Sequence, residues 1–363
     1  MSFFVHTLSI TTKIDLGVST PSIAAGEYVV EDVNGAQLLL LADGGTMRSI
    51  GSGRKLDDNV SNSSRILITR VGGFGDLVLL TPVLRAIKKR WPGCTLHVCT
   101  MPHYGQVLAG LPYVDKVVAY PMRVEDASLY EYSIYHENAI ERNPRAQEIH
   151  ATTIFAEMCG LEFREDDVLQ PHYVVSETEE VWAKEMFAQV PKRVAIQVGT
   201  SALCRTYPRQ QLGEVVAKLI TEGWEVLLLG AKGEIQLGNN TPPGLRNLAD
   251  MDLTFRQSAA VLTRCHGFIG SDSALLHVAG ALNVPAVGLY GPFPWSLRTK
   301  YSPSIFGMQG HGPCAPCFHH VNVYRKTHFP ADCPSKSKGF CQVLGSIEPK
   351  AVVAKLKQIT AIA

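Results

Sequence analysis

The sequence predicts an α/β protein in which two facing Rossmann-like domains, each with a parallel sheet, follow a small N-terminal β appendage. Short buried-strand patterns alternate with helical patterns from residue 65 onward, which is typical of parallel sheets. This alternation occurs twice, with a linker-like passage between the halves. The chain has 363 residues, of which 46% are hydrophobic and 18% charged, so it can form two large cores and is not a disordered chain.

Composition also limits the functional classes. The formal net charge of +1 argues against a protein that coats the phosphates of nucleic acids. No apolar run reaches about 18 residues and the first residues lack the pattern of a secretory signal, so we expect no transmembrane segment. Nine cysteines, an odd number in a long chain, fit a reducing compartment. These features predict a cytoplasmic protein, and peripheral association with a membrane stays open.

The first 64 residues differ from the rest of the chain. Asn34-Gly35 is a strong hairpin signal between strand patterns at 27–33 and 37–41, and residues 51–64 have the composition of a linker. The predicted divisions are the appendage and linker at 1–64, a first Rossmann-like domain at 65–175, a second at 176–345, and a helix at 346–363 that packs back on the first domain.

The elements of both domains follow from apolar patterns that end at glycine, proline or polar loops. In the first domain we predict strands at 65–70, 95–100 and 117–120 and helices at 77–90 and 150–160. Residues 123–145 are polar and aromatic and are predicted only to cover one face of this domain. In the second domain we predict strands at 193–198, 224–229, 267–270 and 285–290, and helices at 209–222, 255–265 and 273–282; a last helix follows at 347–362.

The loop after the first predicted strand is rich in glycine. Gly73 and Gly75 allow a close approach of backbone amides to a ligand, and the helix that follows favours anions at its start. The loop lacks the Gly-Lys-Ser/Thr of a P-loop, and Val78 replaces the third glycine of a dinucleotide fingerprint, which disfavours a nicotinamide-dependent oxidoreductase. The residues leave two roles open for Asp76, a helix N-cap or a general base at the carboxyl end of the strand.

A second candidate site begins where the strand at 267–270 ends. Free amides at the start of the next helix suit a diphosphate, Ser273 adds a hydroxyl, and His277 lies on the same helical face. The alternative is that Asp272 caps the helix and that His277 is an ordinary buried histidine.

Two further strand ends of the second domain carry polar residues. Thr200 and Arg205 lie in the loop after the strand at 193–198, where the arginine could neutralise a phosphate or simply be solvated. Gly230 ends the next strand, and Glu234 follows it, either as an acceptor for ribose hydroxyls or as a carboxylate in the first turn of a helix.

Four cysteines near the C-terminus have a spacing that suggests a metal site. Cys314 and Cys317 form a CxxC pair, and Cys333 and Cys341 follow with a looser spacing. Four thiolates could hold a structural zinc ion. Free thiols or disulfides are the alternatives that the residues leave open.

In this order, the motifs resemble glycosyltransferase family 9, the heptosyltransferase-like enzymes of GT-B fold. The resemblance covers residues 65–362. It is carried by residues 66–76 with 80–87, 111–117, 270–282, 285–292 and the CxxC region.

The resemblance implies an inverting glycosyltransferase that moves a sugar from a nucleoside-diphosphate donor to an acceptor hydroxyl. It implies an acceptor-binding first domain, a donor-binding second domain, and Asp76 as general base. It assigns the donor to Asp272, Ser273, Ala274 and His277, with Arg205 contacting phosphate and Glu234 near the nucleoside; Ala274 stands where the family usually has glycine. Asp250-Met-Asp252 has the spacing of a metal-binding pair but reads as a turn, which favours a metal-independent reaction that needs no cofactor.

The acceptor is not readable from the sequence. A glycan or lipid is one alternative, and a modified nucleic acid or a protein that docks on the appendage is another. A non-catalytic nucleotide-sugar-binding protein is a further alternative. The enzyme hypothesis requires that Asp76 and Ser273 point into the same gap.

Overall fold

The computed structural model describes residues 55–188, 192–237, 241–319, 329 and 332–361 with their side chains, and the backbone of five strands between residues 2 and 52. The chain forms two compact units. The first comprises residues 1–146 and 151–169, and the second comprises residues 147–150 and 170–363.

An antiparallel sheet stands where the β appendage is predicted. Its N-terminal strands are β1 (Ser2–Leu8), β4 (Gly26–Val30) and β5 (Thr46–Ser52), while β2 (Thr12–Lys13) pairs with β3 (Ser22–Ile23). In this sheet β1 lies between β4 and β5, and β4 also pairs with a short strand at Met122–Arg123 of the same unit. The appendage therefore continues into the first unit through backbone hydrogen bonds. The predicted strand at 37–41 lies outside the described residues.

The first unit contains a parallel sheet of four strands. In chain order these are β6 (Arg65–Thr69), β7 (Thr95–Thr100), β8 (Lys116–Ala119) and, after the short β9 (Met122–Arg123), β10 (Tyr132–Tyr135). Their order in the sheet is β10-β6-β7-β8, so the chain adds strands on one side of β6 and then crosses to its other side. The helices are α1 (Phe74–Arg90), α2 (Pro102–Gly105), α3 (Val124–Ala127), α4 (Ala139–Arg142) and α5 (Ala151–Cys159).

Most of the surface of helix α1 is apolar and buried in the first unit. Its residues 77–84 are all buried, and α5 packs against it. Thr152 of α5 donates a hydrogen bond of 2.7 Å to the Leu79 carbonyl oxygen, which fixes the two helices in register.

The second unit contains a parallel sheet of six strands. These are β11 (Arg193–Gln197), β12 (Glu225–Leu229), β13 (Leu245–Asn247), β14 (Gly267–Ser271), β15 (Ala286–Tyr290) and β16 (Ile305–Gln309). Their order is β13-β12-β11-β14-β15-β16, the order of a doubly wound Rossmann fold. The helices are α6 (Glu177–Met186), α7 (Arg209–Thr221), α8 (Phe255–Leu262), α9 (Ala274–Ala281), α10 (Trp295–Arg298), α11 (Gln342–Gly345) and α12 (Pro349–Thr360). Two α/β units with parallel sheets confirm the predicted fold class.

The last helix packs within the second unit. Val352, Val353 and Leu356 of α12 are buried in one core with residues of α7 and of the sheet. A Cβ atom added to Gly267 of β14 would lie 2.7 Å from Leu356 Cδ1, so the glycine leaves the space that this leucine occupies. This position differs from the prediction that the helix packs back on the first domain.

Candidate functional site

Both groups of predicted site residues lie where the strand order of a parallel sheet reverses. In open α/β sheets, ligands bind outside the carboxyl ends of the strands at this reversal. It falls between β6 and β10 in the first unit and between β11 and β14 in the second. The glycine-rich loop that leads to Asp76 follows β6, and the loop that contains Asp272 follows β14.

In the first unit, Asp76 lies in the first turn of α1 and is not its N-cap. The N-cap residue is Gly73, whose φ of 91° is left-handed, and a Cβ atom there would collide with the Asp76 carboxylate. Asp76 Oδ2 accepts a hydrogen bond of 2.6 Å from Arg70 Nη2, and 28% of the Asp76 side chain is exposed. The carboxylate is therefore oriented by a cation and still open to a ligand.

The same arginine also contacts a second carboxylate, which comes from the loop after β10. Arg70 Nη1 donates to the His136 carbonyl oxygen at 2.9 Å and lies 3.3 Å from Glu137 Oε2. Glu137 Oε2 also accepts from the backbone amide of Val71 at 3.1 Å. Burial lowers the pKa of Arg70, but Asp76 and Glu137 more than offset this and raise it above its ordinary value. Burial raises the pKa of Glu137, Arg70 opposes this, and Asp76 adds to it.

Aromatic side chains lie beside the glycine-rich loop. The Phe74 ring meets the Tyr104 ring edge to face at 4.7 Å, and the His103 ring lies 3.9 Å from that of Tyr104. A Cβ atom on Gly72 would lie 3.0 Å from the Tyr104 ring, so this glycine allows the ring to pack on the loop. Burial lowers the pKa of His103, which favours its uncharged form.

In the second unit, the ends of β11 and β14 are joined by a hydrogen bond between side chains. Ser273 is the N-cap residue of α9, but its hydroxyl donates to Gln197 Oε1 instead of capping the helix. Gln197 Nε2 in turn donates to the Gly199 carbonyl oxygen at 2.7 Å. The start of α9 is thereby held at the reversal point, with the backbone amide of Ala274 in its first turn.

The Asp272 carboxylate points into the second unit. Its side chain is 6% exposed and lies 3.6 Å from His277 Nε2 and 3.4 Å from Arg298 Nε. Arg298 also lies over the ring of Phe293, 4.0 Å from its centre. His277 is thus a buried histidine beside the Asp272 carboxylate. Both side chains position the loop from the interior of the second unit.

Arg205 lies next to this loop. Its Nη1 donates to the Asp272 carbonyl oxygen at 3.2 Å, and its Nη2 donates to Ser201 Oγ at 3.1 Å. The structure therefore brings the predicted arginine to the predicted helix start. The Thr200 hydroxyl donates to the Ala202 carbonyl oxygen at 2.7 Å, so it stabilises the loop itself.

The Glu234 side chain lies beside the residues that follow β11 and β12. Its Oε2 accepts from the Ala231 amide at 2.9 Å. A Cβ atom on Gly230 would lie 2.5 Å from that oxygen, and one on Gly199 would collide with Oε1. Both glycines therefore leave the space that the carboxylate occupies, and residues 231–235 form turns and bends instead of the first turn of a helix.

The four predicted metal-binding cysteines all belong to the second unit. All nine cysteines are free thiols. Burial raises the pKa of Cys317, and the neighbouring Cys314 and Cys333 add to this; burial likewise raises the pKa of Cys341, with Cys317 and Cys314 as lesser causes. These thiols are neighbours, but within the described residues no three histidine, cysteine or acidic side chains converge as a metal site.

A fifth thiol links this segment to the Arg205 loop. Burial raises the pKa of Cys204 to about 12, with Cys341, Cys317 and Cys333 as further causes. The amide of Phe318 donates to the Pro292 carbonyl oxygen at 2.9 Å, one residue after the CxxC pair. The cysteine segment therefore packs against two loops at the carboxyl edge of the sheet.

Sequence reasoning missed four residues of these sites. Arg70 and Gln197 are the polar residues at the ends of apolar strands, a pattern that could have identified them. Glu137 and Arg298 come from segments without a recognisable motif, and only the fold brings them to Arg70 and Asp272.

No helix in the described part of the chain is long and apolar enough to cross a membrane.

Comparisons with known proteins agree with this architecture. The family model for glycosyltransferase family 9 (heptosyltransferase) matches residues 118–328. Lipopolysaccharide heptosyltransferase 2 of Escherichia coli K12 is 32% identical over 136 residues, which are 34% of this chain and 39% of that protein. The chain thus matches less than two fifths of the length of this curated relative.

Two solved structures share the fold. E. coli ADP-heptose lipopolysaccharide heptosyltransferase II has a TM-score of 0.58 and 17% identity, over 82% of this chain and 99% of that one. The iron-containing dodecameric glycosyltransferase TibC of enterotoxigenic E. coli has a TM-score of 0.64 and 14% identity, over 99% of this chain and 92% of that one. These likenesses show the GT-B fold.

Proposed function

The chain belongs to glycosyltransferase family 9, and on that premise we propose that it transfers a sugar from a nucleoside-diphosphate donor to an acceptor hydroxyl. The transfer inverts the anomeric configuration, and no metal ion takes part in the chemical step. The names of the relatives indicate ADP-heptose as the donor.

The observation that carries the proposal is the Asp76 carboxylate, held by Arg70 at the reversal point of a parallel sheet and partly exposed. A carboxylate so placed takes the proton of the acceptor hydroxyl as its oxygen attacks the anomeric carbon. Such general-base assistance contributes about 10²–10⁴-fold in rate. The nucleoside diphosphate leaves from the opposite side of the sugar carbon, which inverts its configuration.

The leaving diphosphate needs positive charge and hydrogen-bond donors that are in place before the reaction. The start of α9 supplies backbone amides, Ser273 is fixed by Gln197, and Arg205 lies against the Asp272 carbonyl oxygen. Glu234 accepts hydrogen bonds from the nucleoside. We assign Asp272 and His277 to positioning this loop, since their side chains are buried.

The surroundings of Asp250 and Asp252 support a step without a metal ion. Asp250 Oδ2 accepts from Asn247 Nδ2 at 2.6 Å, and Asp252 lies 3.7 Å from Lys232 Nζ. Asp250 lies in a short 3-10 helix before α8 and Asp252 directly follows it, where the sequence predicts a turn.

The replacement Asp76→Asn tests the proposed function. It removes the base but keeps a side chain of the same shape, so we expect sugar transfer from ADP-heptose to fall at least about 10²-fold while ADP binding, measured by calorimetry, stays unchanged. Asp58→Asn, an exposed aspartate of the same unit, is the control and should keep full activity. Near-normal turnover of Asp76→Asn would disprove the base assignment, and a product of retained configuration, detected by proton NMR, would disprove inversion.

We further propose that Cys314, Cys317, Cys333 and Cys341, which are neighbours but do not converge as a metal site among the residues described, come together on one structural metal ion when it binds. Four thiolates suit zinc or iron, and the TibC relative is iron-containing. Metal analysis of the purified protein should find one equivalent, which Cys333→Ser removes and Cys265→Ser, at a thiol outside this group, does not. A metal-free protein would contradict the proposal.

As acceptor we propose a glycan of the lipopolysaccharide type, as the names of the relatives indicate, used at the cytoplasmic side of a membrane. The appendage favours a second alternative. The dodecameric TibC matches 99% of this chain and heptosyltransferase II 82%, so assembly into an oligomer, with a protein that docks on the appendage as acceptor, is the other outcome. Transfer to lipopolysaccharide glycans compared with transfer to proteins, detected with a labelled donor, distinguishes the two.

A further inference from the structure

We propose that Glu137 is a positioning residue for sugar transfer, because it shares the Arg70 guanidinium with Asp76 and so fixes that carboxylate and limits the neutralisation of its charge. This inference rests on the proposed function, in which Asp76 is the base. Glu137 belongs to no motif of the sequence.

The fold determines the position of Glu137 tightly. Strand β10 pairs with β6 up to Tyr135 and Thr69, and the amide of His136 then donates to the Thr69 carbonyl oxygen at 2.7 Å. Glu137 is the next residue, and its carboxylate accepts from the amide of Val71, two residues beyond Thr69 in the adjoining loop. The glutamate thus ties the end of β10 to the loop that carries the candidate base.

The arginine between the two carboxylates is also fixed. The Arg70 side chain is 7% exposed, and one of its terminal nitrogens contacts Asp76 at 2.6 Å. The other contacts the His136 carbonyl oxygen at 2.9 Å and lies 3.3 Å from Glu137. Because both nitrogens are engaged, Arg70 cannot turn toward Asp76 alone.

Charge explains why a second carboxylate is useful there. One guanidinium bonded to one carboxylate forms a neutral pair, in which the carboxylate is a weak base. With Glu137 present, the group of three carries a net charge of −1, so Arg70 orients Asp76 without fully neutralising it. Two further ionisable residues interact electrostatically with this group, Glu141 from α4 and Tyr104 from α2.

The replacement Glu137→Gln separates charge from structure. The amide oxygen of glutamine still accepts from Val71 and Arg70, but the negative charge is lost. We expect the acid limb of the pH profile of kcat/KM, measured with ADP-heptose, to move down by about half to one pH unit, and kcat to fall about threefold to tenfold. Glu137→Asp, which keeps the charge, should restore the acid limb.

A matched control and a second readout keep the test decisive. Glu131→Gln makes the same charge change at the other end of β10, where the side chain is exposed, and should leave the profile unchanged. In protein labelled with ¹³C at the aspartate carboxyl carbons, the Asp76 signal is identified by its loss in Asp76→Asn. At neutral pH its chemical shift should change in Glu137→Gln and return in Glu137→Asp, whether or not the acceptor used supports turnover.

The outcomes are distinguishable from those for the proposed function. Active Asp76→Asn enzyme overturns the base and the role of Glu137 with it. Inactive Asp76→Asn enzyme together with an unchanged pH profile and an unchanged Asp76 chemical shift in Glu137→Gln overturns this inference alone. Lower turnover of Glu137→Gln without any change in the pH profile or in the chemical shift shows a merely structural role and overturns it as well.

Discussion

His136 shows how one residue next to the candidate site couples stability to pH. The imidazole is fully buried, its Nε2 lies 2.9 Å from the Phe155 carbonyl oxygen, and its ring meets that of Phe155 edge to face at 5.2 Å. Burial lowers the pKa of His136 to about 4; the bond to Phe155 opposes this, and the charge of Arg70 adds to it. The folded protein therefore keeps this histidine neutral.

This histidine predicts a loss of stability in mild acid. An unfolded histidine has a pKa of about 6.5, so between that value and about 4 the unfolded chain binds more protons than the folded one. The contribution of the neutral His136 to the free energy of unfolding is complete above about pH 6.5 and is lost as the pH falls. At pH 5 the free energy of unfolding is lower by about 2 kcal/mol. The free energy of unfolding, measured with urea, should fall less between pH 7 and pH 5 in His136→Gln than in the natural protein, and the difference should be about that amount. His311→Gln, at an exposed histidine, should behave like the natural protein, and an equal loss in His136→Gln would refute the assignment.

At the level of elements, the start of α1 depends on one backbone conformation. The sequence predicts this helix from residue 77, but it begins at Phe74, because Gly73 with its left-handed φ is the N-cap and Asp76 belongs to the first turn. Asp76 then bonds to Arg70 and does not cap the helix. The function of the carboxylate thus follows from where the helix begins.

Replacing this glycine tests that dependence. Gly73→Ala places a methyl group against the Asp76 carboxylate in a strained backbone conformation, so we expect about 1–3 kcal/mol of destabilisation and a strong loss of turnover. Gly213→Ala is the control, since Gly213 lies inside α7 with nothing within 4 Å of a new Cβ atom. That change should stabilise the protein by about 0.5–1 kcal/mol. Equal effects of the two replacements on turnover would contradict the role of the Gly73 conformation.

The sequence predicts most elements that are apolar and long, as well as the short and largely exposed β8, and misses other elements that are short or polar. Strands β6, β7, β11, β12, β14 and β15 are found because they are buried and largely apolar. It misses β10, β13 and β16. Strand β10 is only four residues long and lies in a polar and aromatic segment, β13 consists of Leu245–Asn247, and β16 contains a glycine. These strands lie at the edges of their sheets. Their formation depends on pairing with a neighbouring strand and not on the local sequence pattern.

The same limit applies to the sites. Asp76, Arg205 and Ser273 could be predicted because each follows a recognisable strand, and the structure places each at the carboxyl edge of its own sheet. Glu137, which contacts Arg70, and Arg298, which contacts Asp272, could not be predicted, because only the order of the strands brings them there. The last helix differs from its prediction: its buried residues belong to the core of the second unit, where Leu356 lies against Gly267.

At the scale of the whole molecule, the two units should respond differently to a nucleotide. ADP at about 100 times its dissociation constant stabilises the state that binds it by about 2.7 kcal/mol. Local hydrogen exchange that requires opening of that state then slows up to about 100-fold. We expect this protection at residues 199–206 and 273–277 of the second unit and not in β7 of the first. Hydrogen exchange with mass spectrometry measures it. Adenosine, which lacks the diphosphate, should not protect the start of α9, and protection confined to the first unit would contradict the donor assignment.

The pairing of β4 with the two-residue strand β9 has a consequence during synthesis. Strand β4 leaves the ribosome before the first parallel sheet, but its partner at Met122–Arg123 exists only after β6, β7 and β8 have been made. Because contacts between distant segments form slowly, the edge of β4 stays without its neighbour while the nascent chain grows. The antiparallel sheet is therefore completed only after the centre of the following sheet has emerged.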